Sequence, residues 1–315
     1  MRTERAAAPR FNGVQRVVLT FGKSHLDKIL TVTSLPLHHT SQSYWAYASM
    51  TPLPVAELSA NTFEFETTPL IKPTGFREYD ARWWFGHPGS DRPPELNLMG
   101  VQALGAGLGT MIRERGAGPD IVVGHDFRGY SMAIKNALIT GLMAAGANVK
   151  DIGLALSPMA YYAQFALDVP SVAMCTASHN NNGWTGVKMG CERPLTFGPD
   201  EMSRLREIVL EGQSKLIGGG SYAFIQGFRE TYLASLTADR QPLNRRLKVV
   251  CACGNGTAGA FAPQMLENLG CEVVPLNVEL DNTFPHYNPN PEDMKMLHAM
   301  RDAVLEHGAD VALGF

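Results

Sequence analysis

Val169-Pro-Ser-Val-Ala-Met-Cys-Thr-Ala-Ser-His-Asn-Asn-Asn-Gly-Trp-Thr-Gly-Val-Lys188 runs from an apolar segment into a polar loop and out again. Val169–Met174 has the composition of a buried strand. The residues after it, Ser178, His179 and three asparagines, are ordinary turn formers. They also stand beyond the carboxyl end of a strand, where open α/β sheets carry their reactive groups. A hydrolase elbow would read G-x-S-x-G, whereas this loop reads Thr-Ala-Ser-His-Asn. Phosphoryl chemistry suits it better, because a phosphoserine carries about −1.5 to −2 charges and needs a cation and amide donors around it. Lys188, ten residues after Ser178, offers charge or a proton. Asn180, Asn181, Asn182 and Gly183 offer donors and backbone freedom.

Outward from this loop, strand and helix signals alternate. Leu98–Arg115 places Val101, Leu104, Leu108, Met111 and Ile112 on one helical face and stops at Gly116. Ile121–Gly124 reads as a strand, Ser131–Ala145 as a helix, Val149–Leu156 as a strand and Pro158–Leu167 as a helix. In the second series a helix begins at Pro199 with acids in its first turn. Strand Leu247–Ala252, helix Ala258–Leu269, strand Cys271–Leu276, a helix from Pro291 and strand Asp310–Phe315 complete it. The alternation predicts an α/β protein of two tandem α/β domains, with mixed, mainly parallel sheets covered by helices. Residues 61–220 form the expected first domain, with the serine loop, and 221–315 the second. From Ile29 to Ala56 there is no Asp, Glu, Lys or Arg and no sustained period. Residues 1–60 are therefore expected to be an N-terminal extension outside the folded unit, disordered or spurious.

The formal net charge of −3 gives no electrostatic case for nucleic acid or an anionic membrane as partner. No apolar run approaches the roughly 18–20 residues of a spanning helix. The start, MRTERAAAPRF, lacks the apolar core of a secretion signal, and Glu4 and Asp27 depart from an acid-poor transit peptide. Cys175, Cys191, Cys251, Cys253 and Cys271 show no disulfide-framework spacing. Cys251-Ala-Cys253 lies in a predicted strand and is read as a poor chelate or redox pair, with side chains diverging. All five are taken as reduced thiols of a cytoplasmic protein.

Five segments, in chain order, resemble the α-D-phosphohexomutases. The loop Thr176-Ala-Ser-His-Asn180 with Lys188 is similar to the family's active-site serine loop, T-A/G-S-H-N-P followed by a glycine and a lysine. Phe76-Arg-Glu-Tyr-Asp-Ala-Arg82 resembles F-R-x-Y-D-x-R-G, and Gly124-His-Asp-Phe-Arg128 resembles the G-R-D-x-R turn. Cys253-Gly-Asn-Gly-Thr-Ala-Gly259 and Phe284-Pro-His-Tyr-Asn-Pro-Asn-Pro291 match two later segments. Within the family the pattern is nearest the bacterial phosphomannomutase/phosphoglucomutase branch. The resemblance implies the first half of a four-domain enzyme that interconverts hexose 6-phosphate and hexose 1-phosphate, with mannose or glucose phosphate as substrate. It implies Ser178 as the phosphoserine, a bisphosphate intermediate, Lys188 as general acid or base, and His179 lining the serine. Tyr79 and Arg82 would contact substrate. Mg²⁺ would bind the phosphate on Ser178 and three aspartates of a D-G-D-G-D-R loop, expected to begin after Phe315. The 315-residue chain is expected to be inactive as written.

The match has departures. Asn181 stands for the proline after S-H-N, His125 for the arginine of G-R-D, and Trp83 for a glycine. A competing class also exists. Gly254-Asn-Gly256-Thr-Ala-Gly259 satisfies G-x-G-x-x-G between a predicted strand and helix, and Glu279 lies twenty residues beyond it. That would make an NAD(P)-dependent oxidoreductase or a nucleotide-binding module. Against this, Glu279 falls past the predicted strand end at Asn277, and the serine loop goes unexplained.

Overall fold

The computed structural model describes residues 52–239, 241 and 243–315. In chain order the elements begin with α1 (Phe63–Thr67), β1 (Ala81–Trp84), α2 (Leu98–Glu114), β2 (Asp120–His125) and α3 (Ser131–Ala144). Then come β3 (Asn148–Leu154), α4 (Ser157–Ala166), β4 (Ser171–Cys175), β5 (Trp184–Gly190), α5 (Pro199–Leu210) and β6 (Ser221–Phe224). The last are α6 (Phe228–Ser235), β7 (Lys248–Ala252), α7 (Ala262–Asn268), β8 (Glu272–Leu276), α8 (Met294–His307) and β9 (Val311–Gly314).

Six strands form one sheet in the order β1-β5-β4-β2-β3-β6, and three form another in the order β8-β7-β9. In the first, only β5 runs antiparallel to its neighbours, and the second is parallel throughout. This is the mixed, mainly parallel α/β arrangement that the alternation predicts. β4 is buried at all of its positions, so it reads as a continuous apolar run and its reactive residues begin only past its end.

Local chemistry explains the element ends. Asn97 caps α2, accepting from Gly100 N at 2.7 Å. The same Oδ1 takes the Leu70 N–H at 2.9 Å, so one buried side chain starts a helix and pins the incoming chain. Trp83, at the family's glycine position, is wholly buried and donates Nε1–H to Lys72 O at 2.8 Å. Gly75 makes the room, since a Cβ there would lie 1.9 Å from the indole nitrogen.

Four expectations are corrected. Residues 52–60 are not outside the folded unit: Val55 bridges Leu70, its N–H donating to Pro69 O at 2.9 Å and its carbonyl accepting from Ile71 N at 3.0 Å. Residues 1–51 lie outside the described residues. The domain boundary at 220/221 falls too early, because β6 is the edge strand beside β3. Helix α6 puts Phe228, Tyr232 and Leu233 in one buried cluster with Met159 and Ala160 of α4 and with Phe261, and Phe228 and Tyr232 stack near Tyr162. The helix expected from Pro291 begins at Met294, where Asp293 Oδ1 accepts from Lys295 N at 2.8 Å. Finally, Cys251 and Cys253 do not diverge. Two residues apart on an extended chain, they share a face, and their sulfurs lie 3.8 Å apart in the core.

Candidate functional site

Ser178 lies just past the carboxyl end of β4, exposed to solvent and in a left-handed backbone conformation, φ 55°. Its N–H donates to Thr176 Oγ1 at 2.9 Å, and its hydroxyl lies 3.5 Å from His179 Nδ1. A non-glycine residue held at positive φ costs of order 1 kcal/mol or more and persists only where its surroundings enforce it.

The enforcement comes from Asp126 and Arg128, just after β2. Arg128 is buried and donates Nη2–H to Ser178 O at 3.2 Å and Asn180 O at 2.6 Å, and Nη1–H to Asn181 O at 3.1 Å. Its Nε–H goes to Asp126 Oδ2 at 3.3 Å. The same Oδ2 accepts from Ala177 N at 3.3 Å, and Oδ1 accepts from Ser131 Oγ and from Arg128 N. The buried charges are thus paired and hydrogen-bonded, which a low-dielectric interior requires. From the second sheet's side, Asn288 Nδ2 donates to His179 O. Asp126, Arg128 and Asn288 are not among the predicted site residues. The available signal was the family-like turn Gly124–Arg128 and the segment Phe284–Pro291.

Lys188 and Arg82 form a second group. β5 lies between β1 and β4, so Lys188 is on an interior strand, in register with Met174. Arg82 pairs with Gly186, two residues from Lys188, which puts both side chains on one face. Arg82 is buried and bound to Asp80, and the Lys188 side chain makes no hydrogen bond or ion pair among the described residues. Burial depresses the Lys188 pKa below its usual lysine value, the Arg82 charge depresses it further, and Asp80 opposes both. Tyr79 is 63% exposed and makes no side-chain hydrogen bond among the described residues. The structure therefore joins Ser178 with His179, and Lys188 with Arg82, and leaves Tyr79 unattached to either group.

A cavity of about 380 Å³ opens between the two sheets. Asp126, Thr176, Ser178 and His179 line one side, and Gly256, Thr257, Pro289 and Phe315 the other. The glycine-rich turn is explained by packing. Gly254 has φ +52°, and a Cβ there would lie 2.9 Å from Pro289 Cα. A Cβ on Gly259 would lie 1.8 Å from Val278 O. The turn leads into a short 3-10 segment, Thr257–Ala260, so the motif does not open an α-helix whose N-terminus could hold a pyrophosphate. Among the described residues no group of three or more His, Cys, Asp or Glu side chains could hold a metal ion.

The chain matches two family models, "Phosphoglucomutase/phosphomannomutase, alpha/beta/alpha domain I" over residues 74–216 and "alpha/beta/alpha domain II" over residues 228–315. A phosphomannomutase/phosphoglucomutase of Pseudomonas putida is 34% identical over 240 residues, covering 76% of this chain and 49% of the relative. A probable phosphoglucosamine mutase of Methanosarcina barkeri is 31% identical over 212 residues, 67% of this chain and 47% of its own length. Among solved structures, a phosphoglucomutase/phosphomannomutase family protein of Burkholderia thailandensis superposes with a TM-score of 0.71 at 30% identity. That alignment covers 78% of this chain and 53% of the other. The chain spans about half the length of the curated relatives it matches. Sequence, fold and the placement of the serine loop agree, and the chain belongs to the phosphoglucomutase/phosphomannomutase family.

Proposed function

We propose that this chain supplies the serine-bearing domains of a phosphomannomutase/phosphoglucomutase, in which Ser178 carries the phosphoryl group between hexose 6-phosphate and hexose 1-phosphate. The observation that carries the reading is the exposed Ser178 hydroxyl, held past a strand end at the mouth of the inter-sheet cavity. A sugar hydroxyl attacks phosphorus, the bond to Ser178 Oγ breaks, and a bisphosphate forms. After the sugar turns round, Ser178 Oγ attacks the other phosphate and regains a phosphoryl group. Lys188, with its lowered pKa and no protein partner among the described residues, takes up and returns the hydroxyl proton. Arg82 on the same face adds fixed charge toward the transferring group. Tyr79, exposed and unattached, contacts the sugar, and His179 flanks the serine oxygen.

Mg²⁺ belongs to the reading only through the phosphate on Ser178. Such an ion wants about six oxygen ligands in octahedral array. The described residues do not converge on one. We place the protein in the cytoplasm because its five cysteines are free thiols. No described helix is long and apolar enough to cross a membrane.

The test is incubation with a hexose 1,6-bisphosphate, then peptide mass mapping. Phosphate on Ser178, lost in Ser178→Ala with the fold intact, supports the proposal. Phosphate confined to another serine rejects it.

A further inference from the structure

Four consecutive carbonyl oxygens of the serine loop end on side-chain donors. Arg128 takes those of Ser178, Asn180 and Asn181, and Asn288 takes that of His179. The two donors come from different sheets: Arg128 lies just after β2, and Asn288 precedes α8. We propose that Arg128 and Asn288 are positioning residues that clamp the serine loop from both domains, and that the second domain sets the loop's working conformation through Asn288.

Three observations support the clamp. First, the planar fork of arginine spans separate carbonyls with fixed geometry, which a lysine point charge does not. Arg128 spends that fork on backbone carbonyls and Asp126, with its guanidinium 5.4 Å from the centre of the Phe284 ring. Second, a carbonyl oxygen facing a phosphoryl group would repel it, so binding all four away from the serine hydroxyl removes that repulsion. Third, Asn288 is itself held. Its neighbour Pro289 packs on Gly254 and Gly256, where an added Cβ would lie 2.9 and 3.0 Å from proline atoms. Tyr287, buried on the other side, accepts from Asn277 Nδ2 at 2.9 Å. A shift of the second sheet therefore moves Asn288 and, through His179 O, the residue next to Ser178. The glycine-rich turn acquires a purpose in this arrangement: it seats the segment that reaches across.

The inference rests on Ser178 as phosphoryl carrier, and its test separates the two ideas. Arg128→Lys keeps the buried charge and loses the fork. Asn288→Asp keeps the shape and loses the N–H donor; because Asn288 Oδ1 is buried without a hydrogen-bond partner, Asn288→Ala is run beside it as the uncharged variant. Hydrogen exchange at the protected loop amides of Ala177, Asn180 and Trp184 is read in the 315-residue chain. It should rise about tenfold or more in Arg128→Lys and less in Asn288→Asp, with β2 and β4 unchanged. Phosphorylation of Ser178 by a hexose 1,6-bisphosphate should slow in both variants at an unchanged half-saturating concentration. Unchanged loop exchange in both variants overturns the clamp. Faster exchange with an undiminished phosphorylation rate overturns its positioning role. A wild-type chain whose phosphate sits on another serine, while exchange still rises in both variants, removes the carrier reading and leaves the clamp standing.

Discussion

Arg82 grips the carboxylate of Asp80, two residues earlier, through Nη2 at 2.8 Å and Nε at 3.0 Å. Both charges act on Lys188, with opposite sign. The lysine is thus tuned by a pair whose members can be removed one at a time.

The first prediction concerns that tuning. Arg82→Met removes a repelling cation and frees Asp80, so the Lys188 pKa should rise toward its ordinary value of 10.5. Asp80→Asn removes the attraction and should lower it further. Titration of the labelled lysine side chain by NMR reads both. Shifts of the same sign in the two variants would contradict the arrangement.

Acid stability should depend on His125. Burial lowers its pKa from the ordinary 6.5, the nearby Lys135 charge adds to that, and Asp126 and Asp151 oppose it. A histidine kept neutral by folding contributes stability above its unfolded pKa, which is lost as pH falls toward the folded value, because the unfolded chain binds the extra proton. Urea midpoints should therefore fall as pH drops from 6.5, and His125→Asn should flatten that decline. A variant as acid-sensitive as the wild type would count against the assignment.

Packing at the glycine-rich turn should be intolerant. The Cβ of Gly259→Ala would meet Val278 O at 1.8 Å, backbone that cannot simply rotate away. Overpacking of this kind costs about 1–3 kcal/mol. A melting temperature lower by several degrees is the expected reading, and an unchanged one would show that the turn is loose.

The same turn should bind no dinucleotide. Calorimetric titration with NAD or NADP should give no saturable heat. A micromolar dissociation constant abolished by Gly256→Ala would restore the oxidoreductase reading.

Much of the fold is legible in residue order. The helix from Leu98, the strands around Val123 and Val250, and the serine loop all carry strong periodic or turn signals, and the structure has them. β1 is not legible, because Arg82 interrupts an apolar run and its burial depends on Asp80, a partner the strand pattern does not show. β6 is short and exposed at every position, so it has no alternation to read. The cysteine pair misleads through period: neighbours diverge on a strand, but residues two apart do not. Arg128 and Asn288 escape for another reason. They act on backbone carbonyls, which look the same in every sequence.

The positive φ at Ser178 also restricts which hydroxyl amino acid evolution can place there. Threonine has the same nucleophilic oxygen, but its branched β-carbon crowds a left-handed backbone. Exchange of serine for threonine, silent at many phosphorylation sites, should here force the loop to choose between its fold and its clamp. Under the proposed function, the identity of residue 178 is set by a torsion angle as much as by its reactivity.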